Sequence, residues 1–486
     1  MQNKPDPKDP SSLRPRGPWN QDLAFAKESP YAFRSGEIIV MNRAAADEAR
    51  GRLADRFNID PEPLVELGGD GFLLRVGPDL DIEEAVSSLR QLGLRAEPNY
   101  AFFAHSQTTS GCGGCGCALC GCGVGANPFA ANPFAANPFA ANPFAANPFA
   151  ANSVTANPFA ANPFAANPFA ANPFAANPFA ANGFASSGIR RTSAEPADIP
   201  KPDPVPARLP QHTAGHAVIY DTGISIKEHL PAALEGRPLL RGANVIDRDE
   251  PDESGDKILD PVAGHGTFIA GIIDQFAPKQ RVRVSAVLST FGHGFASNIA
   301  NRIRADVAQM TDEIASRTIL NMSFGSYADQ EMYLLADAVS FAQSKGCVVV
   351  ASAGNDGTYL PTFPATLPGV ISVASIDECG RAPYSNYGPW VVACAPGSET
   401  LSPFYHSINA DQQPTPGAEK MHINGFNGWA TWSGTSFAAP VVVAAILRQM
   451  ALHSQPAAEA AEVVINAPGL LKLPGLGTVV NLAAGM

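Results

Sequence analysis

The sequence is poor in charge, and the charge it has is acidic. Charged residues make up 16% of the 486 positions, and residues 126–185 contain none. The formal net charge of −12 argues against a nucleic-acid-binding surface. No apolar run is predicted to reach the length of a membrane span, and the first 25 residues lack the apolar core of a Sec signal. We therefore expect neither nucleic-acid nor membrane partners, and the missing signal favours the cytoplasm.

Cysteine is also scarce outside one short stretch. Three of the eight cysteines are scattered, and Cys347 and Cys394 lie in apolar runs that predict buried, unreactive thiols. The other five crowd into GCGGCGCALCGCG, at Cys112, Cys115, Cys117, Cys120 and Cys122. This usage suits a reducing compartment better than a disulfide framework.

Composition and hydrophobic periodicity divide the chain into four parts. Residues 1–30 are predicted to be a flexible N-terminus. Residues 31–107 contain strand and helix patterns in the order β-α-β-β-α-β, which predicts a small α+β ferredoxin-like domain. Residues 207–486 alternate apolar strand-like runs with helical runs, which predicts an α/β domain with a parallel sheet covered on both faces. Residues 108–206 separate these two domains.

The segment 108–206 has no core-forming period, and we expect it to be disordered. It contains five ANPFA units, then ANSVT, then five more ANPFA units, then ANGFA. One interpretation is a repeat-expanded tether. A second is that residues 111–185 resemble a ribosomally made, modified peptide, served by modifying enzymes and fused to its own processing enzyme or scaffold. A third takes Asn-Pro-Phe as a docking motif.

Four polar residues of the C-terminal domain lie at positions where α/β sheets build sites. Asp221 ends an apolar strand, and Asn355 follows another. His265 and Ser436 each begin an apolar helix, beside glycines that permit close approach. Taken singly, each has an ordinary alternative: a turn-capping Asp, a structural His, an N-cap Ser and a turn Asn. Their order along the chain, Asp, His and Ser, is that of a subtilisin triad.

Together, DTG at Asp221, HGT at His265 and GTSFAAP around Ser436 resemble the signature motifs of subtilisin-like serine peptidases. The resemblance covers about residues 207–450. It implies a serine endopeptidase acting on polypeptides, with Ser436 as nucleophile, His265 as general base and acid, and Asp221 orienting His265. It also implies that Asn355 donates to the oxyanion. The implied walls of the substrate pocket are Ser323, Phe324, Gly325, Ser352, Ala353 and Gly354.

Three features depart from the family pattern or leave alternatives open. Phe268 stands where many relatives have a second His. Residues 398–431 form a long connection, interpreted either as a surface insertion or as a segment that narrows the cleft. The acidic run 247–256 favours a solvated loop, with Ca²⁺ binding as the alternative. No cofactor is expected to be required, Ca²⁺ is possible, and no metal ligand can be assigned.

Residues 31–107 resemble the inhibitor-like propeptides of the same family. The resemblance implies a zymogen in which this domain inhibits its own enzyme and processes itself. Residues 100–105 would lie in the substrate groove, and self-cleavage would fall somewhere after Phe103. The long tether would then tune how tightly an uncut pro-domain holds the enzyme inactive.

Overall fold

The computed structural model describes residues 23–27, 31–104, 190–191, 215–225, 247–253, 258–278, 280–328, 332–377, 380–406, 411–412, 427–480 and 482. The predicted flexible N-terminus lies outside this set except for 23–27. The predicted disordered segment 108–206 lies outside it except for 190–191. The hypotheses about the five-cysteine stretch and the ANPFA repeats therefore concern residues that the structure does not describe.

The described residues form helices and strands throughout both predicted domains. The helices are α1 (Arg43–Phe57), α2 (Ile82–Gln91), α3 (His265–Phe276), α4 (Ala296–Ala308), α5 (Asp312–Ala315), α6 (Tyr333–Ser344), α7 (Thr435–His453) and α8 (Ala457–Asn466). The strands are β1 (Leu23–Phe25), β2 (Ala32–Met41), β3 (Val65–Glu66), β4 (Gly71–Arg75), β5 (Ala96–Ala104), β6 (Arg190–Arg191), β7 (His216–Asp221), β8 (Ile258–Leu259), β9 (Arg281–Ala286), β10 (His293–Phe295), β11 (Thr318–Met322), β12 (Phe324–Gly325), β13 (Val348–Ser352), β14 (Val370–Asp377), β15 (Gly380–Arg381), β16 (Ala393–Pro396), β17 (Thr400–His406), β18 (Asp411–Gln412), β19 (Asn427–Trp432), β20 (Lys472–Leu473) and β21 (Gly477–Val479).

The N-terminal elements form an antiparallel sheet with α1 and α2 packed against it. The strand order is β5-β2-β4-β3, and β1 pairs with β2. Helix α2 begins after Asp81, whose carboxylate accepts a hydrogen bond from the Glu84 backbone at 3.1 Å. Its apolar spacing predicts the buried face that Ile82, Ala85, Val86 and Leu89 form. The same spacing in the sequence predicts Leu92 on this face, but Leu92 is 50% exposed because the helix ends at Gln91.

The C-terminal elements form a nine-stranded sheet in the order β20-β21-β16-β14-β13-β11-β7-β9, with β15 added to β14. The pairs from β21 to β9 are parallel, whereas β20 and β15 pair antiparallel with their neighbours. Every residue of β11 is buried. Since successive side chains point to opposite faces, both faces of the sheet are covered, as predicted.

Two groups of helices pack with this sheet. Helix α7 packs against β11, β13, β14 and β16, and it also contacts α3 and α8. Helices α4 and α6 pack against each other. Contrary to the sequence prediction, α7 is long and apolar enough to cross a membrane by length and composition. Of the most apolar 18-residue stretch of α7, 89% is buried inside the protein, so α7 is a core helix here.

The connection 398–431 contains a hairpin rather than only surface chain. Strands β17 and β19 pair antiparallel, and β17 packs on α3. The Ser402 hydroxyl donates to the carbonyl of Phe268 at 2.6 Å, and Phe404 and Tyr405 are fully buried. For the described strands the interpretation as a surface insertion is therefore wrong.

Strand β5 connects the two domains. Besides pairing with β2, its last residues pair with β10 and β12 of the C-terminal domain. All nine of its residues are buried. The N-terminal sheet thus continues directly into the C-terminal domain.

The two scattered cysteines within the described residues are buried free thiols. Burial raises the pKa of both Cys347 and Cys394 to about 12. A thiol with such a pKa is not a thiolate nucleophile at neutral pH. The prediction of unreactive core thiols is confirmed.

Candidate active site

Asp221 is the last residue of β7, a strand held between β11 and β9. Its backbone carbonyl accepts hydrogen bonds from the backbones of Val287 at 2.8 Å and Leu288 at 3.1 Å. Its Oδ1 accepts from the Thr222 backbone at 2.8 Å. The carboxylate is fully buried and therefore has a fixed place at the carboxyl edge of the sheet.

His265 is the first residue of α3 and lies against Asp221. Its Nδ1 is 2.8 Å from Asp221 Oδ1. Within the described part of the chain, its buried Nε2 has no hydrogen-bond partner. A proton on Nδ1 that is held by the carboxylate leaves Nε2 as the basic nitrogen.

Two glycines allow this close approach. Gly264 has φ +81°, and a Cβ there would lie 2.2 Å from the ring of Phe404. A Cβ on Gly266 would lie 2.2 Å from the carbonyl oxygen of Gly223. A side chain at position 266 would push α3 away from the segment that follows β7, and one at position 264 would clash with Phe404 of β17. Both glycines therefore keep the start of α3 in its place.

Ser436 is the second residue of α7 and is fully buried. Its hydroxyl donates to the carbonyl of Ser323 at 2.9 Å rather than to His265. The next residue, Phe437, has its ring centroid 5.2 Å from that of His265. The start of α7 therefore lies beside the imidazole, and the hydroxyl must rotate to reach it.

Asn355 follows β13 and points at the start of α7. Its Oδ1 accepts from the backbone of Thr435 at 2.9 Å and from the Thr435 hydroxyl at 2.8 Å. These two bonds fix the plane of the amide and direct its donor nitrogen away from Thr435. Thr435 also accepts from the Gly354 backbone at 3.2 Å, a role that no signal in the sequence predicted.

Both segments that the sequence predicts as pocket walls contact the start of α7: Ser323 is hydrogen-bonded to Ser436, and Gly354 donates to Thr435. The residues Ser323, Phe324, Gly325, Ser352, Ala353 and Gly354 are all buried. Just beyond each wall, the hydroxyl of Tyr327 donates to Asp356 Oδ2 at 2.7 Å and joins the two segments. Burial raises the pKa of Asp356 to about 6. Neither residue was predicted, because their contact depends on two loops that are distant in sequence.

The end of β5 fills the space between β10 and β12. Phe103 lies opposite His293 on one side and Gly325 on the other. Ala104 lies opposite Phe324, and its backbone donates to the carbonyl of Gly292 at 2.8 Å. An extended chain held between two strands in this way has the geometry of strand addition, the mode in which extended peptides bind a sheet edge.

Aromatic side chains pack around the His265 imidazole. Trp432 packs edge-on against the imidazole with centroids 5.4 Å apart, and Phe268 packs against Trp432 at 5.8 Å. Phe268, the residue that departs from the family pattern, is therefore part of an apolar cluster and not of the polar contacts. Trp432 is the last residue of β19 and directly follows the long connection 398–431, so the strand in which that connection ends brings this side chain to the site.

The acidic run 247–256 is not simply a solvated loop. Asp247 is 2% exposed and pairs with Arg302 at 2.8 Å. Asp249 is 1% exposed and accepts two hydrogen bonds from the chain itself. For these two residues the prediction of a solvated loop is wrong. Across the described ranges, no three His, Cys, Asp or Glu side chains are grouped as a metal site.

A family model for the subtilase family, peptidase S8, matches residues 217–476. The match covers more than half of the 486 residues, and the chain therefore belongs to the subtilase family.

Two curated relatives give the extent of the similarity. The chain is 31% identical over 277 residues to a thermophilic serine proteinase from Bacillus sp. (strain AK1), across 54% of this chain and 57% of that protein. It is 30% identical over 233 residues to thermitase from Thermoactinomyces vulgaris, across 45% of this chain and 75% of thermitase. The chain thus spans little more than half the length of the first relative. A solved structure of a cold adapted subtilisin-like serine proteinase is similar with a TM-score of 0.41 and 23% identity, covering 55% of this chain and 89% of that one.

Proposed function

We propose that this protein is a serine endopeptidase in which Ser436 is the nucleophile, His265 the general base and acid, and Asp221 the residue that orients His265. The observation that carries the proposal is the 2.8 Å contact between His265 Nδ1 and Asp221 Oδ1 beside the helix start that bears Ser436. Membership of the subtilase family supports the same roles.

The reaction begins when Ser436 turns from the Ser323 carbonyl to His265 Nε2 and gives up its proton as it attacks the substrate carbonyl. Asp221 stabilises the imidazolium that forms. His265 then protonates the leaving amine. In the second half of the reaction a water molecule gives a proton to His265 and attacks the acyl-enzyme, and His265 returns the proton to Ser436 as the acid product leaves.

The oxyanion of the tetrahedral intermediate would be held by the Asn355 amide nitrogen and the Ser436 backbone N–H. Thr435 fixes the Asn355 amide before substrate arrives, and a donor that is preorganised costs little at the moment of reaction. The amides at the start of α7 add their partial positive charge. Ser323, Phe324 and Gly325 would form one wall of the pocket, and Ser352, Ala353 and Gly354 the other.

A fluorophosphonate probe tests this proposal on the full-length chain. Wild type should become covalently labelled, and Ser436→Ala should not. A tryptic map should place the label on the peptide that contains Ser436. An unlabelled wild type that also cleaves no casein would contradict the assignment of a serine endopeptidase.

We further propose that residues 31–104 are a pro-domain that inhibits its own enzyme. Support comes from the end of β5, which is paired on both sides as a substrate strand would be. The N-terminal domain also contacts the C-terminal domain away from β10 and β12, at the starts of α6 and α4. Glu97 accepts from the backbones of Tyr333 at 2.6 Å and Leu334 at 3.0 Å, and Asn99 accepts from the backbone of Ser297 at 3.1 Å.

Self-cleavage is proposed to follow the end of β5. Ala104 pairs with Phe324, and the residue before Phe324 is Ser323, whose carbonyl accepts the Ser436 hydroxyl. The next residue along the chain after Ala104 is His105, and we propose that its carbonyl is the one that Ser436 attacks. We expect cleavage between His105 and Ser106, and N-terminal sequencing of the processed enzyme will test it. Uncut protein, or a cut before Phe103, would contradict this register.

The hypothesis that residues 111–185 are a substrate for modifying enzymes concerns residues outside the described part, and it stays a hypothesis. Intact mass of the segment 108–206 from its native cell is the measurement that decides it. An unmodified mass would leave the tether interpretation.

A further inference from the structure

Asp249 belongs to the acidic stretch that the sequence marks as a loop, yet its carboxylate is buried beside the candidate active site. Its Oδ2 accepts from the Thr222 hydroxyl at 2.7 Å and from the Gly264 backbone at 2.8 Å. Thr222 directly follows Asp221, and Gly264 directly precedes His265. One carboxylate oxygen therefore joins the two chain segments that carry the hydrogen-bonded pair.

Thr222 extends this connection by one step. Its hydroxyl donates to Asp249 and accepts from the backbone of Gly266 at 3.1 Å. His265 is thus bracketed: the residue before it is held by Asp249, and the residue after it by Thr222. Thr222 also donates its backbone N–H to Asp221. Three hydrogen bonds therefore restrain the position of His265 relative to Asp221: Thr222 to Asp249, Gly264 to Asp249, and Gly266 to Thr222.

The start of α3 needs an acceptor from elsewhere in the chain. Its N-cap residue is Gly264, which has no side chain to accept the orphan backbone N–H groups. A buried carboxylate satisfies one of them and also suits the positive end of the helix. Hydrogen bonds to an ionised carboxylate are shorter and stronger than neutral ones.

Asp249 is itself firmly placed. Its backbone N–H donates to the carbonyl of Ile224 at 2.8 Å, and its carbonyl accepts from the Tyr405 hydroxyl at 3.4 Å. Both anchors lie next to the site, because Ile224 follows the Asp221 segment and Tyr405 belongs to the hairpin packed on α3. The Asp249 side chain is therefore held in one position and is not a mobile loop side chain.

We propose that Asp249 is a positioning residue for the proposed peptidase reaction. It holds the Asp221 and His265 segments at hydrogen-bonding distance, and its negative charge favours the protonated imidazole that forms during catalysis. The proposal rests on the proposed function, since Asp249 acts only through the His265–Asp221 pair.

Other charged or titratable side chains lie on the elements packed around His265 and must be kept constant in the test. They include Asp221 and Tyr220 on β7, Arg283 on β9, Arg448 on α7, Tyr405 on β17, and Arg248, Glu253 and Asp260 in the segments that lead to α3. The elements in direct ring contact with His265 contribute Trp432 and Phe437, which carry no charge.

The experiment compares Asp249→Asn, Thr222→Val and Thr222→Ser in the full chain. Rates are expressed per active site titrated with the fluorophosphonate probe, and kcat/KM is measured from pH 5 to 10. Asp249→Asn keeps the size but removes the charge. We expect kcat to fall about tenfold, and the acidic limb of the kcat/KM profile to move to lower pH by about half a unit. Thr222→Val should lower kcat without moving the limb, and Thr222→Ser should restore wild-type kcat.

Asp247→Asn is the matched control. Asp247 is an equally buried acid two residues away. Its carboxylate binds Arg302 and the backbone of Ala286, which lies opposite Asp221 in the sheet, and not the chain neighbours of Asp221 or His265 that Asp249 holds. We expect Asp247→Asn to lower the melting temperature and to leave kcat and the acidic limb unchanged.

Each outcome decides something. Wild-type kcat and limb in Asp249→Asn would overturn the proposal, as would a loss of kcat with an unmoved limb, which would leave only a packing role. If Asp249→Asn does not fold, the Thr222 pair decides, and wild-type kcat in Thr222→Val overturns the proposal. A wild type that neither labels nor cleaves would overturn the proposed function together with this inference.

Discussion

Four helix starts of the C-terminal domain differ in what satisfies their first backbone N–H groups. Helix α3 begins at His265, and Asp249 accepts the backbone N–H just before it. Helix α7 begins at Thr435, next to Ser436, and Asn355 accepts the Thr435 backbone N–H. Both partners belong to the same domain as the helices. Helices α4 and α6 have no side-chain cap at their own N-cap residues. Their starts are instead held by Asn99 and Glu97, which belong to the N-terminal domain.

The difference separates permanent contacts from removable ones. The starts of α3 and α7 keep their partners whatever happens to the N-terminal domain, as side chains that must stay within a fraction of an ångström require. The starts of α4 and α6 lose theirs if the domain leaves, and their N–H groups then pass to water. Under the proposed function, the same backbone feature serves positioning in one pair of helices and reversible docking in the other.

The largest expected effect breaks the permanent pair at Asp221. Asp221→Asn should lower kcat by about 10⁴-fold, because the amide favours the wrong tautomer of His265. Steady-state kinetics per titrated active site measure it. Asp312→Asn, on an exposed helix, is the control and should change nothing. A variant with near-wild-type kcat would show that Asp221 does not orient the base.

The next effect concerns the start of α7. Asn355→Ala should lower kcat by about 10²–10³-fold with little change in KM, because the lost donor acts on the transition state. Asn466→Ala, an exposed change on α8, controls for losing an amide. If the variant lowers only the melting temperature, the start of α7 would be structural, like those of α4 and α6.

Removing the contact between Glu97 and the start of α6 should have a smaller effect. It should weaken the docking of the N-terminal domain and leave the chemical step unchanged. In a Ser436→Ala background that cannot cut itself, Glu97→Ala should speed hydrogen exchange at β5 and the start of α6 about tenfold, the worth of one lost helix cap. Glu66→Ala, whose carboxylate is 73% exposed, should not. Equal exchange in both would mean that Glu97 does not hold the domain.

The smallest effect is a pH dependence of the same docking. Burial, and then the charge of Arg34, lower the pKa of His293, which pairs with Phe103 of the tail, to about 3. A depressed histidine pKa means that the docked state binds fewer protons, so docking is strongest above about pH 6.5 and weakens as the pH falls.

We expect β5 exchange, corrected for intrinsic rates, to rise at most about tenfold between pH 7.5 and 5.5. His293→Asn should flatten the dependence, whereas His453→Asn, at the exposed end of α7, should not. An unchanged slope in His293→Asn would assign the pH dependence to another group.

The sequence predicts well where a feature depends on local pattern. Parallel strands between helices follow from apolar runs, and the positions of Asp221, His265 and Ser436 follow from motifs in which glycines flank the polar residue. The error at Leu92 is also local: Gly93, with φ +81°, ends the helix one residue before the pattern does.

The sequence fails where a side chain's role depends on the path of a distant loop. Asp249 looks like one acid among several, and only the folded route of residues 247–253 places it between Thr222 and Gly264. The same holds for Trp432 and for the Tyr327–Asp356 bond, whose partners lie 29 residues apart in sequence. Such contacts carry no periodic or motif signal.

Strand β5 has a mechanical consequence. It is one continuous strand, with its first residues in the N-terminal sheet and its last residues in the cleft. A cut beyond Ala104 does not free the last residues of β5 to move by themselves, because the same strand is still paired with β2 in the N-terminal sheet. If the proposed zymogen cuts itself there, the space between β10 and β12 empties only when the whole domain comes off, and the lifetime of that complex sets the delay between bond cleavage and enzyme activity.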